Sequence, residues 1–217
     1  MDSRNVFDKI ALGIISRLES MDDVLNVDFT YGEPAQSHNI AQWERRNIPY
    51  RLPEDMKALL SLFNGFSLIW RVEISGRVVP LGNIMLHNIN DINKIDIVGN
   101  IINDKNLSKE NSAAFLIHSC PEYGNICLLY RSNNNSNNDT DNFSIPEIWY
   151  QDHLANWHFI CNTFTQLMRI MVVHLGISGW QLAFTPEGLP LIARQWMNLF
   201  CKERLTIDLL AHEGPLR

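Results

Sequence analysis

The sequence contains neither Gly-x-x-x-x-Gly-Lys nor Gly-x-Gly-x-x-Gly; its 11 glycines are scattered. A phosphate-cradling loop needs glycines clustered where a strand turns into a helix, so P-loop and dinucleotide-binding folds are excluded. Cysteine is scarce. Cys120, Cys127, Cys161 and Cys201 form no Cys-x-x-Cys pair and stand mostly in apolar runs. Free, buried thiols in a reducing compartment are the expectation, and a disulfide framework is not. Long hydrophobic runs are missing as well. The longest, near Ile170 to Val173, is far too short to span a bilayer. The start, Met1-Asp2-Ser3-Arg4-Asn5, has no charged-then-apolar leader pattern, which predicts a cytoplasmic protein. Positive charge is also short: 18 lysines and arginines against 24 acidic residues give a formal net charge of -6. Such a surface gains nothing from nucleic-acid phosphates or anionic lipid, so neither is expected as a partner.

What is present is enough for a folded core. The 217 residues are 46% hydrophobic and 19% charged, which fits a globular domain. The most informative stretch is Leu52-Pro53-Glu54-Asp55-Met56-Lys57, running on to Asn64-Gly65-Phe66. Pro53 suits a first helical position, where no amide partner is lost. Glu54 and Asp55 place negative charge at the positive end of the helix dipole. Asn64-Gly65 supplies the left-handed residue that stops a helix. Met56, Leu59, Leu60 and Phe63 make its apolar stripe.

Around this helix the pattern predicts α+β. An amphipathic helix is expected over residues 3–20 and a short strand over 24–31. Residues 38–46 read as a turn or helix. A hairpin follows, with strands over 67–74 and 77–81 joined by Ser75-Gly76. Residues 89–98 have moderate helical spacing. Strands are expected over 114–118, 126–130 and 146–150. The Asn-rich loop 132–144 cannot bury apolar surface. Residues 154–175, apolar nearly all round, read as a buried helix. A second helix should bury Leu189, Ile192, Ala193, Trp196, Leu199 and Phe200 in one stripe. The expectation is a single domain over residues 1–205 with a loose tail, 206–217.

Chemistry is hard to find. His118 and Cys120 could share a strand face, but no second ligand pair accompanies them. His153 and His158, five apart on a helix, would point to different faces. A cysteine-dependent or metal-assisted hydrolase stays open only as a rival reading. No catalytic, metal-binding or cofactor-binding residue is singled out, and no cofactor is expected. Candidates for partner contact remain. Trp180 and Trp196, in the C-terminal helical layer, are the tryptophans expected to be partly exposed, and tryptophan is a common interface anchor. Arg45 and Arg46 belong to the most basic local patch.

A resemblance adds to this reading. Leu52-Pro53-Glu54-Asp55 and Asn64-Gly65-Phe66, followed by a strand, resemble the SMI1/KNR4 (SUKH) superfamily. Further segments narrow it: Trp43-Glu44, Trp70, Pro80-Leu81-Gly82, Glu147-Ile148-Trp149, Trp157-His158-Phe159, His174-Leu175-Gly176 and Gln195-Trp196. These are similar to the tubulin polyglutamylase subunit family, in order over roughly residues 10–200. The resemblance implies a mixed, mostly antiparallel sheet flanked by N- and C-terminal helices. It implies a non-catalytic scaffold or adaptor subunit of a microtubule-associated complex. Glutamate chains would be added to tubulin C-terminal tails, with ATP, by a separate tubulin-tyrosine-ligase-like catalytic subunit. Contact with tubulin would be indirect. A cytoskeletal location, at microtubules, centrosome or cilium, goes with it. The alternative is a stand-alone SUKH-type interaction adaptor with an unrelated partner.

Overall fold

The computed structural model describes residues 13–98, 112–131 and 145–213, and every statement below concerns those. The start of the expected 3–20 helix and the Asn-rich loop 132–144 lie outside them. The chain divides into two compact units, each built from separated segments. Unit 1 is Met1–Thr30, Ser67–Met85 and Met168–Arg217; unit 2 is Tyr31–Phe66 and Leu86–Leu167.

Unit 1 begins with helix α1, residues 13–19, which buries Ile14 and Leu18. Strands β1 (Val24–Tyr31), β2 (Phe66–Ile74) and β3 (Arg77–Leu86) form a three-stranded sheet in the order β1-β2-β3. The alternation of β2 is explicit: Leu68, Trp70 and Val72 are buried, with Ile69 and Arg71 between them more open. Ser75 and Gly76 both take positive φ, 51° and 77°. That is the turn whose twist matches a two-residue hairpin. β3 runs five residues past its expected end at Leu81, because Ile84 and Leu86 are also buried. Trp70 is fully buried and its Nε1–H donates to the Leu175 carbonyl at 2.7 Å. Gly82 lies against that indole, since a Cβ there would come 1.8 Å from Trp70 Nε1.

Helix α4 (Phe164–Val173), whose first turn through Leu167 belongs to unit 2 and whose remainder belongs to unit 1, is followed by Leu175 and Gly176, both at positive φ, and by a 3₁₀ turn, Trp180–Phe184. Helices α5 (Leu191–Phe200) and α6 (Lys202–Glu213) then pack on each other. Residues 206–213 are thus helical, not a loose tail. α6 has little amphipathic signal, yet Leu205 and Asp208 are buried. One apolar anchor and one buried ionic contact hold a helix that hydrophobic spacing does not announce.

Unit 2 holds helices α2 (Ser37–Arg46) and α3 (Glu54–Leu60) and a five-stranded sheet, order β4-β5-β6-β7-β8. α3 buries Met56, Leu59 and Leu60. Pro53 is its N-cap, with ψ at 143°, so it stands just outside the helix where the pattern placed it just inside. Gly65 has φ 82°, and a Cβ there would lie 2.6 Å from the Asn88 amide nitrogen. Asn64 Oδ1 accepts the Ile89 amide at 2.8 Å. α3 ends earlier than the pattern predicts, at Leu60 with Ser61 as C-cap, so Asn64-Gly65 does not stop the helix; it forms a turn beyond it that positions residues 88–89.

The sheet is an antiparallel meander of β5 (Ser112–Cys120), β6 (Gly124–Arg131), β7 (Glu147–Gln151) and β8 (Trp157–Cys161), with two-residue β4 (Lys94–Ile95) beside β5. Two expectations fail here. Residues 89–98 are not helical; Ile89, Ile92 and Ile97 are buried from an irregular segment carrying β4. Residues 157–161 are a strand, not the first turns of the long helix. A short apolar run does not separate strand from buried helix by spacing alone. The turn before it decides: Asp152 Oδ1 accepts the Leu154 and Asn156 amides at 2.9 and 2.8 Å, reversing the chain so that β8 pairs with β7. An aromatic group of Trp43, Tyr50, Phe115 and Tyr130, with ring centroids 5.0–5.6 Å apart, fills the core. The class is α+β with mostly antiparallel strands, as expected, but the strands are shared between two sheets instead of one.

Candidate interaction surface

Reactive groups are buried in ways that suit structure. Burial raises the Cys161 thiol to about 12 and the Cys201 thiol to about 11. Cys127 is fully buried and shifted upward too, and burial also raises half-buried Cys120. A nucleophilic cysteine needs the opposite shift. No cluster of three or more His, Cys, Asp or Glu suited to a metal occurs among the described residues. His118 is buried on β5, where a register shift falls between Leu116 and His118. His153 and His158 are not on a helix; His158 lies on β8, 2.9 Å from Asp152.

The most polar buried contact in unit 1 is His174 with Asp208 and Arg204. His174 Nδ1–H donates to the Ile170 carbonyl at 2.7 Å, and its Nε2 is 2.9 Å from Asp208 Oδ2. Arg204 Nε approaches the same Nε2 at 3.2 Å and the guanidinium also pairs with Asp208. Burial works to raise the Asp208 carboxyl, but His174 and Arg204 outweigh it and hold it below the usual range. With His174 wholly buried, this cluster ties α6 to the end of α4.

The sequence candidates separate into different roles. Trp180 is 1% exposed. It packs on His174 at 5.3 Å and meets Phe184 edge-on at 6.2 Å, so the expectation of partial exposure fails: the 3₁₀ turn folds the indole inward. Trp196 is half-buried on α5 as expected. Arg45 and Arg46 are exposed in the last turn of α2, a favourable place for cations. The rest of their basic patch is neutralised: Lys57 Nζ is 2.6 Å from Glu44 and 2.9 Å from Glu54, and Arg51 is 3.9 Å from Glu44.

What the residue pattern missed is on α5. Its apolar residues do not form one buried stripe. Ala193, Met197 and Phe200 point into unit 1, while Ile192 and Leu199 are 59% and 69% exposed on either side of Trp196. Positions 192, 196 and 199 follow the i, i+4, i+7 spacing of a helix face. α6 adds exposed Ile207 and Leu210. The signal was present as excess width, since apolar residues at 192, 193, 196, 197, 199 and 200 exceed one stripe.

Comparison with known proteins identifies the lineage. The chain is 30% identical to mouse tubulin polyglutamylase complex subunit 2 over 98% of its own length and 77% of the relative's. The chain belongs to the tubulin polyglutamylase complex subunit 2 family. The rat and human members are each 29% identical, over 97% of this chain and 77% and 75% of theirs. No family model matches the chain, and no solved structure matches it. The α+β fold is compatible with the SMI1/KNR4 resemblance. No helix among the described residues is long and apolar enough to cross a membrane.

Proposed function

We propose that this protein is a non-catalytic scaffold subunit of the tubulin polyglutamylase complex. A separate tubulin-tyrosine-ligase-like subunit would carry out the ATP-dependent addition of glutamate chains to tubulin C-terminal tails. The observation that carries this reading is the double-faced α5. A helix that buries Ala193, Met197 and Phe200 and still presents Ile192, Trp196 and Leu199 outward has a second apolar face to cover. The occupant is another subunit of the complex, because the relatives are named as complex subunits. The raised cysteine thiols and the structural role of His174 favour a non-catalytic assignment. A net charge of -6 does not draw in a polyanionic tubulin tail, so substrate capture belongs to other subunits and contact with microtubules is indirect. The location that follows is the cytoplasm and its microtubule structures, centrosome and cilium included.

Co-expression with the catalytic ligase and the remaining subunits tests this. Wild type co-purifies with the complex, and Leu199→Asp, at an exposed position, folds normally but is recovered at least about tenfold less. A wild-type chain that captures no subunit ends the scaffold reading. Unchanged recovery of folded Leu199→Asp removes α5 from it.

A further inference from the structure

Two tight turns stand side by side at one end of the unit 2 sheet. Residues 121–123 join β5 to β6, and residues 152–156 join β7 to β8. The strand ends that lead to residues 99–111 and 132–144 are at the opposite end, since Ser112 pairs with Arg131 and Leu129 with Glu147. The two turns are fastened together. Tyr150 O–H donates to the Tyr123 carbonyl, and Asn125 Nδ2 donates to Gln151 Oε1 at 3.3 Å. Gly124, at φ 121°, leaves no room for a side chain, because a Cβ there would come 2.2 Å from the Gln151 carbonyl oxygen.

The second turn is also rigid. Asp152 Oδ1 takes the Leu154 and Asn156 amides, while Oδ2 accepts from the Asn156 side chain at 3.1 Å and is 2.9 Å from Nε2 of buried His158. Backbone bonds close it: Ala155 N–H donates to the Asp152 carbonyl at 2.9 Å, and Asp152 N–H to the Asn156 carbonyl at 3.0 Å. Ala155 has φ 61°, a conformation that suits glycine and strains alanine. At the apex Leu154 is 82% exposed, with His153 exposed beside it. A lone exposed leucine on a slack loop would need no explanation. Here a strained residue and a carboxylate used up by internal bonds fix the leucine in one place, and strain held at a surface turn points to use.

A single apolar side chain projecting from a fixed turn suits a pocket, and ordering it beforehand removes part of the entropy cost of binding. Charge narrows the pocket further. Of the two carboxylates in these turns, Asp152 is consumed internally and Glu122 is exposed. We propose that the Leu154 turn is an anchor that enters an apolar pocket on another subunit of the complex, with a lysine or arginine on the side of the pocket that meets Glu122. This rests on the reading of the chain as a complex subunit. It gives that assembly a contact in unit 2, whereas α5 belongs to unit 1.

His153→Cys places a thiol beside the intact leucine, and maleimide labelling compares the free chain with the chain in the reconstituted complex. The new thiol reacts at least about tenfold more slowly in the complex, since thiol reactivity follows exposure. Leu154→Asp, at an exposed position, keeps the wild-type urea midpoint and is recovered with the complex at least about tenfold less. Glu122→Lys is recovered several-fold less at low salt, and the difference shrinks as salt rises. A wild-type chain that captures no subunit overturns this inference together with the scaffold reading. A chain that assembles while the thiol at position 153 labels as fast as in the free protein overturns this inference alone, as does unchanged recovery of folded Leu154→Asp. Unchanged recovery of Glu122→Lys at low salt overturns the basic side of the pocket.

Discussion

Asp55 and Thr165, 110 residues apart, are joined by two hydrogen bonds. Asp55 Oδ2 accepts both the backbone N–H and the hydroxyl of Thr165 at 2.8 Å. Thr165 is in the first turn of α4, whose amides have no partner within the helix. Asp55 is in the first turn of α3. One carboxylate therefore serves two helix starts, its own through the dipole and α4 through a direct cap.

Asp55→Ala removes the cap of α4 and leaves the Thr165 amide without an acceptor. The expected loss is about 1–2 kcal/mol, typical of a helix-cap deletion. Urea unfolding measures it. A matched Glu54→Ala, at an exposed position in the same turn, loses much less.

Gly82→Ala tests the contact with Trp70. A Cβ at Gly82 meets Nε1 at 1.8 Å and the Leu175 carbonyl at 2.7 Å, the two ends of one buried hydrogen bond. Both cannot be kept. A loss of about 1–3 kcal/mol or more is expected, as for overpacking a core, together with a changed near-ultraviolet spectrum from the displaced indole.

The two C-terminal tryptophans should behave oppositely. Trp180→Ala opens a cavity among His174 and Phe184 and costs about 3–5 kcal/mol. Trp196→Ala, at a half-buried site, loses clearly less stability and shows its effect in capture of the other subunits. Thermal unfolding alongside co-purification separates them.

Asp208 makes stability depend on acid. Its folded carboxyl lies below the ordinary 3.8, so its contribution is complete above that value. The contribution is lost as pH falls through the lowered folded value, when the carboxylate facing His174 and Arg204 is protonated. The urea midpoint of wild type therefore drops on going below about pH 4. That of Asp208→Asn starts lower at pH 7 and drops less.

The thiols give a direct check on the proposed non-catalytic role. With Cys161 pushed to about 12 and Cys201 to about 11 by burial, the thiolate fraction at pH 8 is small. All four cysteines should react slowly with a disulfide reagent in the native protein and rapidly in guanidinium. A single fast thiol in the folded state would contradict this.

How far the sequence carried depended on the range of each interaction. The start of α3 was readable because its signals are local, Pro53 just outside and Glu54 and Asp55 in the first turn; its end was not, since the helix stops at Ser61 and the positive φ of Gly65 belongs to a later turn. The hairpin at Ser75-Gly76 was readable for the same reason as that start. The split of residues 154–175 into β8 and α4 was not, because Trp157 and Ile160 are equally apolar on a strand or a buried helix. The Asp152 turn makes that choice through side-chain bonds to the backbone. α6 was missed because its hold, Asp208 on His174, spans 34 residues and has no periodicity.

Of the candidate contact residues, Arg45, Arg46 and Trp196 are at the surface where the pattern put them, while Trp180 is not. By itself the sequence determined the α+β class, the start of α3, the hairpin turn at Ser75-Gly76 and the family. These follow from composition and from neighbours along the chain. Only the tertiary structure decided which apolar side chains are covered and how the outer side of β3 is closed. Burial and edge pairing depend on what a distant segment supplies, as residues 176–178 do for β3.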